Sequence, residues 1–236
     1  PHLTNRRQRQ MCIRDRLTSK QTLTKLTKYQ LVAIEGNIGA GSTSLSTMLS
    51  RQCDATLVLE EYVENPFLPK FYVEPERYAF HTEVYFLLDR CKQLKKVQQS
   101  LNISEKLHIS DYLFNKSLLY AKVNLSETEY LLFEKMFHEM ISFLPKPELI
   151  VYLHTTAPQL LKKIQQRGRT FEQEMQCEYL QSVEDEYFEY FKTQKDVPIL
   201  IIHNDNIDFV NNAAHYEQIC KWLEQPYEIG VHHLKL

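Results

Sequence analysis

Glycine is scarce in this chain, with five in 236 residues, and three of those five fall at 36, 39 and 41. Cysteine is also sparse and scattered. Cys12, Cys53, Cys91, Cys177 and Cys220 form no C-x-x-C pair, which argues against a zinc ribbon or a dithiol redox motif and fits free thiols in a reducing compartment. Nine histidines include no H-x-x-x-H or H-E-x-x-H spacing, so a metal held by histidines is not expected. The longest apolar runs, such as Leu149–Leu153 and Pro198–Ile202, are far shorter than the roughly 18 residues a membrane span needs, and no signal-peptide pattern opens the chain. The expectation is a cytoplasmic protein without a membrane partner.

The net charge of −2 hides an uneven distribution. Residues 1–29 hold five Arg and three Lys against one Asp, or +7, which leaves −9 for residues 30–236. A nucleic-acid-binding domain needs basic surface over its working body, so this acidic body argues against one. Residues 1–29 show no helical or strand periodicity and read as a disordered basic tail, and Met11–Arg16, MCIRDR, resembles a translated sequencing adapter. They are set outside the fold as an artefact or linker. The working domain is expected over 30–225, with 226–236 a C-terminal tail. A chain with 43% hydrophobic and 25% charged residues can bury one sizeable core.

The clustered glycines stand in LVAIEGNIGAGSTSL, Leu31–Leu45. A short apolar run, a glycine-rich turn and a helix start make the strand, loop and helix order of a phosphate-binding P-loop. Gly36, Asn37, Ile38, Gly39, Ala40, Gly41, Ser42, Thr43 and Ser44 are the candidate residues around a nucleoside triphosphate. Gly36, Gly39 and Gly41 let successive N–H groups face one concavity, and the helix start adds partial positive charge. The pattern G-x-x-x-x-G-K-[ST] is met at Gly36, Gly41 and Thr43, but position 42 is Ser where the pattern has Lys. Losing one preorganised donor of that kind costs on the order of 10²–10³ in rate. Backbone N–H groups and a magnesium ion would still hold the phosphates.

From Tyr29 the chain alternates strand-like and helix-like segments. Strands are expected at Leu31–Ile34, Thr56–Leu59, Leu107–Ser110, Leu149–Leu153 and Ile199–Ile202. Helices are expected after Thr43, over Pro75–Gln98, from a capping box at Ser126-Glu127-Thr128-Glu129, from Thr156 to near Gly168, over about Glu174–Phe191 and over Ala213–Leu223. Continuous apolar strands are buried on both faces, so the fold class is α/β: a parallel five-stranded sheet between two helical layers, with ligands at the carboxyl ends of its strands.

Several candidates fall at those ends. Thr43 and Asp111 are placed to bind Mg²⁺, although Asp111 also fits a helix N-cap. Glu60, with Glu61 beside it, is a candidate general base for an attacking hydroxyl, and equally a solvated strand end. Arg167-Gly168-Arg169 could fold over phosphates, with Glu172 accepting from a sugar hydroxyl, or simply complement a helix dipole. Tyr72 and Phe80 flank a region where a base could stack.

Taken together, the chain from about Tyr29 to Leu223 resembles the deoxyribonucleoside kinase family. The likeness rests on IEGNIGAG at Ile34–Gly41, the Glu60 segment leading to NPFLPKFY, PERYAF at Pro75–Phe80, RGR-x-x-E at Arg167–Glu172 and DFV at Asp208–Val210. It looks greatest toward kinase-like domains of Bacteroidetes-type bacteria, some fused behind a folate-pathway pyrophosphokinase. The resemblance implies a nucleotide-salvage enzyme, a homodimer, that moves the ATP γ-phosphate to the 5′-hydroxyl of a deoxynucleoside with Mg²⁺. It implies Glu60 as general base with Glu61 as fallback, Tyr72 and Glu172 on the sugar 3′-hydroxyl, and Arg167 and Arg169 on the phosphates. Asp208 and Phe209 would line the adenine side. Two further departures accompany Ser42: Glu83 stands where most members have a base-reading glutamine, and Tyr112-Leu113 follows Asp111 where the family has Arg-Ser. A catalytically weak nucleotide-binding pseudokinase and a nucleoside-monophosphate kinase are the rival readings.

Overall fold

A computed structural model describes Leu23 and residues 26–103 and 106–236. Met11–Arg16 lies outside the described residues. Six parallel strands, β1 (Leu31–Gly36), β2 (Thr56–Val58), β3 (His108–Ser110), β4 (Leu149–His154), β5 (Pro198–His203) and β6 (Gly230–Leu234), form one sheet in the order β2-β3-β1-β4-β5-β6. Val32 pairs with Ile109 on one side and Leu149 on the other, so β1 runs through the middle of the sheet.

The helices are α1 (Ser42–Cys53), α2 (Leu68–Phe71), α3 (Pro75–Leu101), α4 (Lys116–Asn124), α5 (Glu127–Ile141), α6 (Ala157–Arg167), α7 (Cys177–Thr193) and α8 (Ala213–Leu223). Alternation along β1 sorts them into two layers, because successive side chains leave a strand on opposite faces. Val32 and Ile34 face a core completed by Leu45 and Leu49 of α1, Leu160 and Ile164 of α6 and Ile219 of α8. Ala33 joins Ile150, Tyr152 and Ile201 under Leu119 of α4 and Val183, Tyr187 and Phe191 of α7. A third cluster packs Leu87, Cys91 and Leu94 of α3 against Tyr112, Phe133 and Phe137. The three-layer α/β expectation is met. β1 is buried at every position, as a central strand covered on both faces should be.

Helix ends follow local chemistry. Ser126 and Glu129 form the expected capping box at the start of α5. Gly168 ends α6 at φ 71°, a left-handed C-cap that donates to Ile164 and Gln165 carbonyls.

The structure corrects three expectations. The sheet has six strands, not five: β6 lies within residues 226–236, expected to be a tail, and pairs in parallel with β5. Its side chains are half-buried or exposed in alternation, as an edge strand's are, so no apolar run marked it. At the other end, Leu23 and Leu26 are 1% and 0% exposed and belong to the α1–α6 core, and Leu26–Lys28 makes a 3₁₀ turn, so the domain begins before residue 30. Helix α4 was not expected at all, and it carries residues of the site.

Leu26→Ala is expected to destabilise the protein by about 2–4 kcal/mol through loss of buried surface and a residual cavity. A urea midpoint measures it, and a midpoint equal to the parent's would return this segment to the tail.

Candidate active site

The phosphate loop leaves β1 at Gly36 and enters α1 at Ser42. Gly39 and Gly41 have φ of 86° and 102°, left-handed values that side chains resist. The loop is fixed from outside. Asn37 Nδ2 donates to the Leu180 carbonyl at 2.7 Å, Asn37 Oδ1 accepts from Ile38 N–H, and Asn204 Nδ2 donates to the Ala40 carbonyl at 3.0 Å. Helix α1 has no side-chain cap, so its first amides stay available to an anion. The loop residues Gly36 to Gly39 and Gly41 to Ser44 line a cleft of about 620 Å³ at the carboxyl ends of the strands. Ala40 is 2% exposed and does not line it.

The opposite wall begins where β2 and β3 end. Asp111 Oδ2 accepts from the Thr43 hydroxyl at 2.6 Å, and Asp111 Oδ1 accepts from Glu60 N–H at 2.8 Å, so one carboxylate ties the phosphate loop to the Glu60 segment. A hydroxyl and a carboxylate oxygen this close are the hard oxygen ligands that Mg²⁺ takes, and the pair fits that ion. Burial raises the Asp111 pKa, partly opposed by the Thr43 hydrogen bond.

Glu60 is the electrostatic centre of the cleft. Its Oε1 accepts from Arg90 Nε at 2.7 Å, and its Oε2 faces Lys116 Nζ at 3.4 Å. Burial alone would raise its pKa, but Arg90 and then Lys116 outweigh that and hold it down at about 2. Glu61, the fallback candidate, is exposed and is not among the residues that line the cleft. Glu35, the penultimate residue of β1, is fully buried; its Oε1 accepts from Gly36 N–H at 2.9 Å and its Oε2 from Leu113 N–H at 2.8 Å.

Deeper in, Glu83 is 3% exposed. Its Oε1 accepts from Asn124 Nδ2 at 2.8 Å, while its Oε2 is buried with no partner among the described residues. Burial pushes its pKa up to about 7, against the Asn124 hydrogen bond and Arg90. Tyr72, Phe86, Tyr120 and Tyr179 line the same part of the cleft, and Tyr72 stacks on Phe171 at 5.6 Å.

Over the mouth, Arg167 Nη2 and Arg169 Nη1 donate to the two oxygens of Glu172 at 2.5 and 3.1 Å, and Arg169 also lies 3.7 Å from the Tyr62 ring. Phe209 is buried, its ring 3.2 Å from where a Cβ on Gly41 would stand. Asp208 makes a local cap with Asn211 and is not among the residues that line the cleft. Phe80, expected beside a stacking base, does not line it either.

Sequence reasoning passed over Arg90, Lys116 and Asn124. Arg90 had a signal: it follows Glu83 by two helical turns on the apolar face of α3, where an unpaired charge is not tolerated. Lys116 and Asn124 stand on α4, the helix that went unrecognised.

A glycine-rich loop feeding a helix, an acidic wall opposite and two arginines above define a P-loop phosphotransferase. The chain belongs to the deoxynucleoside kinase family, whose profile matches residues 32–226. Members of that family are ATP-dependent kinases. The chain is 33% identical over 198 residues to a deoxyguanosine kinase of Bacillus subtilis, covering 82% of this chain and 96% of that one. It is 28% identical over 216 residues to a deoxyadenosine kinase of Lactobacillus acidophilus, covering 85% and 98%. Among solved structures, deoxyadenosine kinase from M. mycoides with dCMP and dCDP superposes with TM-score 0.70 at 25% identity, covering 82% of this chain and 98% of that one.

The raised pKa of Glu83 has a sign that can be measured. Between an unfolded value of 4.5 and a folded value of about 7 the native state holds the extra proton, so this group's contribution to stability falls as pH rises through that window. Glu83→Gln, which does not titrate, is expected to gain about 3 kcal/mol on the parent between pH 4.5 and 8. Urea midpoints across that range test it, and a constant difference would show that Glu83 ionises normally.

Proposed function

We propose that this chain transfers the γ-phosphoryl group of ATP to the 5′-hydroxyl of a deoxynucleoside. The observation that carries the reading is Glu60: a half-buried carboxylate, kept ionised by Arg90 and Lys116, in the same cleft as an uncapped helix start and a glycine nest. The acceptor hydroxyl gives its proton to Glu60 as its oxygen bonds the γ-phosphorus. The bond from the γ-phosphorus to the β,γ-bridging oxygen breaks, and its electron pair leaves on ADP. A carboxylate with a pKa of about 2 is a weak base, so Glu60 orients the hydroxyl early and takes the proton late, which suits a loose phosphoryl-transfer transition state.

Thr43 and Asp111 would hold Mg²⁺, which supplies positive charge across the β- and γ-phosphates. The amides from Gly36 to Ser44 cradle the phosphates, and Phe209 buttresses Gly41 on the nucleotide side. Arg167 and Arg169 close over the γ-phosphate. Tyr72 and Glu172 take the sugar 3′-hydroxyl, and Glu83 meets the base, whose N–H edge satisfies the unpartnered Oε2. On the family likeness the working form is a homodimer.

The test is transfer from MgATP to four deoxynucleosides and to their monophosphates, by this chain and by Ser42→Lys. Phosphorylation of deoxynucleosides is expected from both, and faster for Ser42→Lys. Glu60→Gln should lower kcat by on the order of 10²–10⁴. If Ser42→Lys binds ATP but phosphorylates nothing, the kinase reading fails and a nucleotide-binding module replaces it. Transfer to monophosphates alone would make the chain a nucleoside-monophosphate kinase.

A further inference from the structure

Position 42 brings no cation to the phosphate loop, and the residue after Asp111 brings none to the acceptor side. That residue, Tyr112, is 1% exposed among the side chains of α3 and α5, its hydroxyl donating to Gln93 Oε1 at 2.7 Å. A lysine nevertheless reaches this region from further along the chain. Lys116 opens α4, and its N–H closes a turn on the Leu113 carbonyl at 3.0 Å.

The Lys116 ammonium stands 3.4 Å from Glu60 Oε2 and 3.6 Å from Glu35 Oε1, with 11% of the side chain exposed. Glu35 Oε1 is also the acceptor for Gly36 N–H, the first amide of the phosphate loop. One cation therefore bridges the carboxylate proposed to face the acceptor and the carboxylate that anchors the loop. It lines the cleft beside Gly36, Thr43 and Asp111.

Its contacts are loose. Charge-assisted pairs close to about 2.7–2.9 Å, and Arg90 reaches Glu60 through Nε at 2.7 Å. An ammonium carries three N–H donors. At 3.4 and 3.6 Å Lys116 is committed to neither carboxylate and keeps donor capacity for a third anionic oxygen. Burial works against its charge, but Glu35 and Glu60 outweigh burial and keep it protonated.

We propose that Lys116 is a catalytic residue of this chain, its ammonium contacting the γ-phosphoryl oxygens during transfer and supplying the charge that positions 42 and 112 lack. The inference rests on the phosphotransfer reading above. A cation already desolvated and held between two fixed carboxylates acts without reorganising when charge shifts, which is where such groups contribute most. It also explains why a phosphate loop without lysine would retain a working cleft: the compensating charge comes from α4 rather than from the loop.

The test uses the full chain, with MgADP and aluminium fluoride mimicking the transferring phosphoryl group in calorimetric titrations, alongside transfer assays. Lys116→Met is expected to lower kcat by on the order of 10²–10³. It should leave ADP affinity unchanged while weakening the ADP–aluminium fluoride complex by about tenfold or more. Lys116→Arg should recover part of the loss, and in a Ser42→Lys background Lys116→Met should cost about a tenth as much or less. Should Lys116→Met fail to fold, Lys116→Met with Glu35→Gln removes one carboxylate with the cation and takes the same measurements. Equal weakening of ADP and ADP–aluminium fluoride, no weakening of either, or the same cost in both backgrounds would overturn the proposal. If the parent transfers phosphate to no acceptor, the phosphotransfer reading fails on that result alone, and the aluminium fluoride affinities still decide Lys116.

Discussion

A carboxylate drawn partly out of water at the end of a strand is costly unless cations are brought to it, and the cleft of this protein meets that cost at Glu60 with Arg90 and Lys116. Arg90 comes from about four turns along α3 and Lys116 from the first turn of α4, and both cations converge on Glu60. Removing one partner of such a buried pair leaves an uncompensated charge, typically a loss of 3–5 kcal/mol by order of magnitude. Structural and functional demands on these side chains therefore coincide. Asp111 extends the network to Thr43, so the phosphate loop, the ends of β2 and β3 and the start of α4 are joined through hydrogen bonds rather than through apolar contact alone.

The arginines over the mouth are handled differently. Arg167 and Arg169 share Glu172, which is 3% exposed, while about a third and a quarter of their own side chains remain open to solvent. A carboxylate offers about four lone-pair sites, so Glu172 has capacity for a sugar hydroxyl while it retains both guanidiniums. Gly168 stands between the arginines at the left-handed end of α6, where nothing within 4 Å hinders it. The turn is set by its backbone rather than by packing.

Much of this was legible in the sequence where local chemistry decides structure. Glycines at 39 and 41 announced a loop with left-handed backbone, Ser126 and Glu129 announced a helix start, and unbroken apolar runs announced strands covered on both faces. What escaped depends on distant partners. β6 is an edge strand with a half-exposed alternation that resembles a loop. Leu23 and Leu26 sit in a segment whose polar composition outweighed two leucines, yet those two fill the core. Arg90 and Lys116 acquire their meaning only from Glu60, 30 and 56 residues away in the chain. The partner of Asp208 is local by contrast: its carboxylate accepts from Asn211, three residues on. The buried oxygen of Glu83 without a partner among the described residues was invisible from sequence because it depends on Asn124 taking the other oxygen.

The central claim is that Glu60 and its cations define where the acceptor hydroxyl sits. A crystal structure of the full chain with a deoxynucleoside and MgADP tests it most directly. The account predicts the 5′-hydroxyl within about 2.6–3.2 Å of a Glu60 oxygen, with the base against Glu83 Oε2. A nucleoside bound with its 5′-hydroxyl turned away from Glu60, or with Glu60 still closed off by Arg90 and Lys116 and out of reach, would contradict it.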